Sequence, residues 1–114
     1  TLSDLGFAQQ TRILAATDKP IVIDSNDIRA NPAEMLHRLC DLIGIAWTPK
    51  MLHWPKGGHP ADGVWAAHWY GAVHRSAGFD GAESDLPKLE GDYARLADTA
   101  MPYYERLAAQ KITI

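Results

Sequence analysis

The sequence contains a continuous run of β-branched residues, Ile21-Val22-Ile23, and a polar run, Asp24-Ser25-Asn26-Asp27, follows it directly. A continuous β-branched run that ends in polar residues is typical of a short strand buried on both faces, followed by a loop. No second strand is evident in the rest of the chain, yet the backbone groups of a strand need a partner. We therefore expect either that another chain pairs with this strand or that its neighbouring strands lie outside these 114 residues.

Helical patterns surround this strand. The best defined starts at Asn31 and Pro32, which suit the N-cap and the first helical position, and stops at Gly44. Its apolar residues recur at helical spacing. Further helices are predicted over residues 3–17, 64–76 and 88–110, with loop-rich segments over residues 45–64 and 78–87. The predicted fold class is therefore mostly α with one short β-strand.

Composition limits the classes of function. With 46% apolar and 22% charged residues, the 114-residue chain has the composition of one soluble globular domain or a piece of one. Its net charge of −3 argues against a nucleic-acid partner, which would select a basic surface. No apolar run is long enough to span a membrane, and the single Cys40 cannot form an internal disulfide, which suggests the cytoplasm. The start at Thr1 without Met suggests an excised segment.

Five histidines raise the question of a metal site. Their spacing along the chain is 16, 6, 9 and 6 residues, so no two of them share one face of a helix as zinc ligands do. We therefore expect no metal, and a metal-dependent hydrolase rests on the number of histidines alone. The histidines are His37, His53, His59, His68 and His74.

Two segments have residues suited to an anionic ligand. In Lys56-Gly57-Gly58 the adjacent glycines let backbone N–H groups approach an anion, and the lysine adds charge, although glycine pairs also serve as simple turns. Residues 65–75 contain many aromatic side chains that end in a polar group, namely those of Trp, His and Tyr. Trp65 and Trp69 lie on one stripe that we expect to be buried, whereas Tyr70, His74 and Arg75 lie off it and could form the wall of a cleft.

A family resemblance covers most of the chain. Residues 21–45 resemble the C-terminal half of P-loop sulfotransferases, in which a core strand leads through a polar loop and a proline turn into a helix that ends in leucine-glycine. Residues 47–52 resemble the family's loop after that helix, and the segments 63–76 and 102–107 resemble a bacterial sulfotransferase-like subgroup. The residues that match in order within the first segment are Asp27, Ile28, Ala30, Pro32, Leu36, Leu39 and Gly44.

The resemblance implies a function and its limits. The family transfers a sulfuryl group from 3′-phosphoadenosine 5′-phosphosulfate to a hydroxyl or amine acceptor, and the N-terminal half of the family fold carries the phosphate-binding loop. Residues 1–114 are then a single C-terminal segment without that loop, and Ser25 and Asn26 stand where the family has tyrosine and glutamate. The resemblance implies a late basic, glycine-containing loop that touches the nucleotide's 3′-phosphate, and Lys56-Gly57-Gly58 is the candidate for it. Under this hypothesis we further expect Arg75 to contact the anionic cofactor and His74 or His68 to be the catalytic base.

A second hypothesis needs no catalysis. Because the phosphate-binding loop is missing and the predicted strand is unpaired, the chain could be a helical binding module that dimerises through Ile21–Ile23. The sulfotransferase hypothesis instead predicts a nucleotide cofactor and a small-molecule acceptor as partners, with neither a nucleic acid nor a membrane. The segment alone is not expected to be active.

Overall fold

The computed structural model describes all residues 1–114 and confirms a mostly helical fold with almost no strand. The long helix α7 packs against α1 and α2. None of the helices combines the length and hydropathy that crossing a bilayer requires. The helices are α1 (Leu2–Leu5), α2 (Phe7–Ala16), α3 (Ser25–Ala30), α4 (Pro32–Ile43), a 3-10 helix (Pro49–Leu52), α5 (Ala66–Trp69), α6 (Gly71–Arg75) and α7 (Gly91–Ala108).

Helix α4 has the bounds that the sequence predicts. Pro32 occupies its first turn, and Gly44 ends it with φ +76°, a left-handed conformation that glycine adopts without steric cost. The Asn31 side chain does not cap the backbone but donates a 2.9 Å hydrogen bond to the Glu34 carboxylate. Met35 is the one fully buried large side chain of the protein.

The predicted first helix, over residues 3–17, is divided into two. Gly6 has φ +77° and is at once the C-cap of α1 and the N-cap of α2. Thr1 caps helix α1: its hydroxyl accepts a hydrogen bond from the Asp4 backbone N–H, and the Asp4 carboxylate accepts hydrogen bonds from Thr1. The prediction of one continuous helix was therefore wrong, because a left-handed glycine interrupts the α-helical dihedrals.

The predicted strand Ile21–Ile23 is reduced to a single bridge. Val22 pairs in parallel with Lys111, and the Val22 carbonyl accepts a 2.8 Å hydrogen bond from the Ile112 N–H. The chain itself thus supplies a partner at its C-terminal end, which sequence analysis did not identify. The extended segment ends at Asp24.

The run after this segment is a helix and not the predicted polar loop. The Asp24 carboxylate accepts a 2.9 Å hydrogen bond from the Asn26 N–H and so caps α3. Serine, asparagine and aspartate favour both loops and helix N-termini, so their presence alone does not distinguish the two. Capping by Asp24 decides the local structure here.

The helix predicted over residues 64–76 forms two short helices, α5 and α6, which meet at Tyr70. The expectation of a buried tryptophan stripe was wrong. The exposed fraction is 67% for Trp65 and 73% for Trp69, and Ala66 is the buried residue of this segment. The periodicity correctly marks one apolar face, but no element of this chain packs over it.

Much apolar surface is uncovered. The accessible surface is 8831 Å², whereas a compact monomer of this mass exposes about 6,200 Å². The radius of gyration is 16.6 Å, against about 13 Å for a compact domain of this length. Six residues are buried: Thr11, Met35, Cys40, Ala66, Ala100 and Leu107.

Candidate functional site

The loop that carries Lys56-Gly57-Gly58 is fixed to the chain that follows α6. The Trp54 indole N–H donates a 2.8 Å hydrogen bond to the Ser76 hydroxyl, and the Trp54 backbone N–H donates to the Ala77 carbonyl at 3.1 Å. The ring of Phe79 meets the Trp54 ring edge to face, with centroids 5.4 Å apart. The tryptophan therefore orders this loop, which places residues 56–58 beside the last turn of α6.

This arrangement brings two predicted groups together. The Gly57 N–H donates a 2.7 Å hydrogen bond to the His74 carbonyl. A Cβ atom on Gly58 would lie 3.0 Å from His74 Cε1, 3.2 Å from His74 Nε2 and 3.3 Å from Asp62 Oδ2. Glycine at position 58 thus allows the backbone to approach the imidazole and the carboxylate closely.

Asp62 holds the His74 ring. Its Oδ2 atom lies 3.0 Å from His74 Nε2 and accepts a 2.7 Å hydrogen bond from the His59 backbone N–H. The hydrogen bond from His59, and then the hydrogen bond and charge of His74, lower the pKa of Asp62. Because an ionised carboxylate has no proton to donate, Nε2 of His74 carries the shared proton. In the neutral ring, Nδ1 is then the nitrogen that can accept a proton.

Both cations predicted to bind anions lie next to this pair in sequence. Lys56 precedes Gly57 and Arg75 follows His74, and neither side chain forms an ion pair. Both residues are exposed. The Gly58 N–H donates no hydrogen bond to another group of the chain. The loop therefore offers two free backbone donors, the N–H groups of Lys56 and Gly58, and the side chains of Lys56 and Arg75 add two unpaired positive charges.

His68 is not part of this cluster. It lies exposed on α5, its ring packs near Trp65 with centroids 6.5 Å apart, and its side chain makes no hydrogen bond. His74, by contrast, is half-buried and its ring meets that of Tyr70 edge to face at 6.0 Å, as the spacing of these two residues predicts. Of the two predicted bases, the structure places only His74 against the glycine loop.

Sequence analysis missed Asp62. Nothing in its neighbourhood marked it, because an aspartate before glycine is common in turns. Its twelve-residue separation from His74 is bridged only by the folding of the loop. The five histidines are not gathered into a metal site, since no group of three or more His, Cys, Asp or Glu side chains is placed to hold a metal ion.

A second polar cluster, also missed, joins α3 to the C-terminal end. The Tyr104 hydroxyl donates a 2.7 Å hydrogen bond to Asp24 Oδ2, and Lys111 Nζ lies 2.6 Å from Asp27 Oδ2 and 3.9 Å from Asp24 Oδ2. The hydrogen bond from Tyr104 and the charge of Lys111 lower the pKa of Asp24, and the same carboxylate raises the pKa of Tyr104. Asp27 and Asp24 raise the pKa of Lys111. This cluster lies at the end of a groove of about 710 Å³.

The comparisons with known proteins identify the family. A family model described as a sulfotransferase domain matches residues 1–111. The chain therefore belongs to the sulfotransferase family.

Two relatives from Arabidopsis thaliana are named branched-chain-amino-acid aminotransferase-like protein 1 and protein 2. They are 35% and 32% identical to the chain over 88 residues. The matching region is 77% of this chain but 16% of either relative, so the chain spans a small part of the relatives' own length. No solved structure matches the chain.

Proposed function

We propose that this chain is the C-terminal portion of a sulfotransferase-like protein and contributes one wall of the site for sulfuryl transfer. The donor is 3′-phosphoadenosine 5′-phosphosulfate, and the acceptor carries a hydroxyl or an amine. The observation that carries the proposal is the His74–Asp62 pair, which is held against the Gly57–Gly58 turn and lies beside Lys56 and Arg75 in sequence. Family membership supplies the class of reaction.

The residues of this wall fit the anionic donor. A phosphate needs cations and unpaired N–H donors, and Lys56, Arg75 and the Gly58 N–H supply both kinds of group. The Gly57 N–H is already bonded to His74, and with φ +102° Gly57 makes the turn that exposes the next N–H. When bound, the donor supplies the sulfuryl group.

His74 is the favoured base. Asp62 fixes the ring through Nε2, so that Nδ1 can take the proton of the acceptor hydroxyl or amine. Asp62 is a positioning residue, because it acts through the imidazole and orients it. His68 remains a weaker candidate, since no carboxylate orients its exposed ring.

The uncovered surface supports the view that the chain is part of a larger body and is not active alone. The excess over a compact monomer is about 2,600 Å², which is within the range buried in permanent protein interfaces. Trp65, Trp69 and Val73 lie in this exposed surface. Pairing of the extended segment at Val22 alone leaves room for further strands on its neighbours.

The binding step is testable on this chain. Titration of the 15N-labelled protein with millimolar 3′-phosphoadenosine 5′-phosphate should shift the amide signals of residues 56–58 and 74–75. Adenosine, which lacks the phosphates, should shift them far less. Replacing both cations (Lys56→Ala with Arg75→Ala) should abolish the shifts, whereas the control Lys88→Ala should keep them.

Two outcomes would contradict this proposal. Shifts that are absent, or that survive loss of both cations, would exclude the glycine loop as the anion site. If the chain forms a tight dimer by sedimentation and shows no nucleotide shifts, the non-catalytic module that pairs through Ile21–Ile23 is favoured instead. The exposed fraction of Ile21, 40%, supports this alternative, because an exposed strand residue is open to pairing with a second copy.

A further inference from the structure

A groove of about 710 Å³ is separate from the glycine loop. It lies between the α1–α2 junction, residues 83–89 and α7, and no residue from 53 to 79 lines it. Ala97 and Ala100 lie between its larger apolar side chains. Along α7 it extends from Tyr93 to Tyr104, about 16 Å at the rise of an α-helix. Its larger apolar side chains are Leu5, Phe7, Leu86, Leu89, Leu96 and Met101.

Its charged side chains are grouped together at one end. Asp24 and Asp27 lie there with Lys111, whose ammonium group bonds to Asp27 and neutralises one of the two carboxylates. A third carboxylate of the lining, Glu83, lies 3.6 Å from Arg29, which also pairs with Asp80 at 3.2 Å. Three carboxylates therefore line the groove with one ammonium group, and Arg29 is shared between Glu83 and Asp80, so the charge here is negative.

The negative end is built into the fold. Asp24 caps α3 with one carboxylate oxygen and accepts the Tyr104 hydroxyl with the other. The Glu83 N–H donates a 2.8 Å hydrogen bond to the Asn26 side-chain oxygen, which fixes the loop that forms one wall. These contacts hold the carboxylates in place before any ligand arrives, which lowers the entropic cost of binding.

We propose that this groove binds an elongated apolar molecule that ends in a protonated amine. Its volume of about 710 Å³ is in the range of small-molecule sites, which are lined by apolar side chains with few converging polar groups. The apolar body lies along Ala97 and Ala100, and the ammonium group faces Asp27 and Asp24. Charge complementarity selects the amine over a neutral or anionic end.

Three probes with the same apolar body test the charge requirement. Decylamine, decanol and decanoate, each below its micelle concentration, are titrated into the 15N-labelled chain. We expect decylamine to shift amides of α3, α7 and residues 83–89. Its dissociation constant should be about fivefold lower than that of decanol, the effect of one partly exposed ion pair. Decanoate should bind more weakly than decanol.

Substitutions of opposite sign sharpen the test. Asp27→Asn should remove the preference for the amine, whereas Lys111→Gln should increase it, because it takes away the competing positive charge. Ala97→Trp should weaken binding of all three probes by filling the groove. Asp41→Asn, on the exposed part of α4, is the matched control and should change nothing. Circular dichroism shows whether each variant keeps its helices.

Several results would overturn the proposal. Equal affinities for the three probes would show that the carboxylates do not take part. Shifts concentrated on Trp65 and Trp69 would show unspecific binding to exposed apolar surface. Groove signals that depend on protein concentration and not on amine would show that a second copy of the chain covers this face. Unchanged selectivity in both Asp27→Asn and Lys111→Gln would equally reject it.

Discussion

Removing the Tyr104 hydroxyl tests how the C-terminal helix is fastened to α3. The Tyr104–Asp24 hydrogen bond, 2.7 Å long, joins a neutral donor to an ionised acceptor. Such bonds contribute about 1.5–3 kcal/mol, and because Tyr104 is 38% exposed we take the lower end. Tyr104→Phe should therefore lower the free energy of unfolding by about 1.5 kcal/mol. That corresponds to a decrease of about 6 °C in Tm for a chain of this length.

The effect of this substitution should depend on pH. Tyr104 lowers the pKa of Asp24, so the stabilisation is complete above the unfolded pKa of about 3.9 and is lost as the pH falls through the lower folded value. Urea unfolding followed by circular dichroism at neutral and acidic pH measures the difference. Tyr93→Phe is the control, because that hydroxyl, on the same helix, makes no hydrogen bond. Equal decreases in the free energy of unfolding in Tyr104→Phe and Tyr93→Phe would refute this reasoning. A difference between the two variants that grows at acidic pH would refute it as well.

Two further substitutions probe the core and the loop. Met35→Ala should lower the free energy of unfolding by about 3 kcal/mol, because Met35 is 1% exposed, whereas Leu42→Ala on the same helix should cost under about 1 kcal/mol; similar Tm values for the two variants would contradict this. The His59 N–H donates to the Asp62 carboxylate, whose pKa is lowered, so the signal of the His59 amide should shift only when the pH falls below about 3.9 and the carboxyl becomes protonated. Asp62→Asn should abolish this shift. A proton–nitrogen spectrum recorded during a pH titration measures this, and an unchanged shift in the variant would show that another group titrates.

The sequence was most informative where the decisive interactions are local. Pro32 and Gly44 bound α4, because proline suits a first turn and glycine takes the left-handed end. The interruption at Gly6 was harder to foresee, since glycine is tolerated inside helices and only its dihedral angles reveal the break. The same holds for Asp24, whose role as a cap depends on the direction of the chain after it.

Interactions between distant residues were beyond such reasoning. The stripe through Trp65 and Trp69 was identified, but burial needs an opposing surface that periodicity cannot supply. Asp62 and His74 meet because Trp54 anchors the loop that carries Asp62 to the residues that follow α6. Lys56, Gly57, Gly58 and Arg75 were singled out by their chemistry, and the resemblance that gave them a role is to a family now shown, while their roles in binding stay predictions.

The bridge between Val22 and Lys111 bears on how the protein is made. Residues 21–27 leave the ribosome long before Tyr104, Lys111 and Ile112, the residues that bond to them. The nascent chain therefore holds an unpaired, β-branched segment while residues 28–110 are being made, when such segments are prone to associate with other chains. Synthesis of Lys111 and Ile112, just after α7, supplies the pairing residues, so translation speed over this stretch sets how long the segment stays exposed.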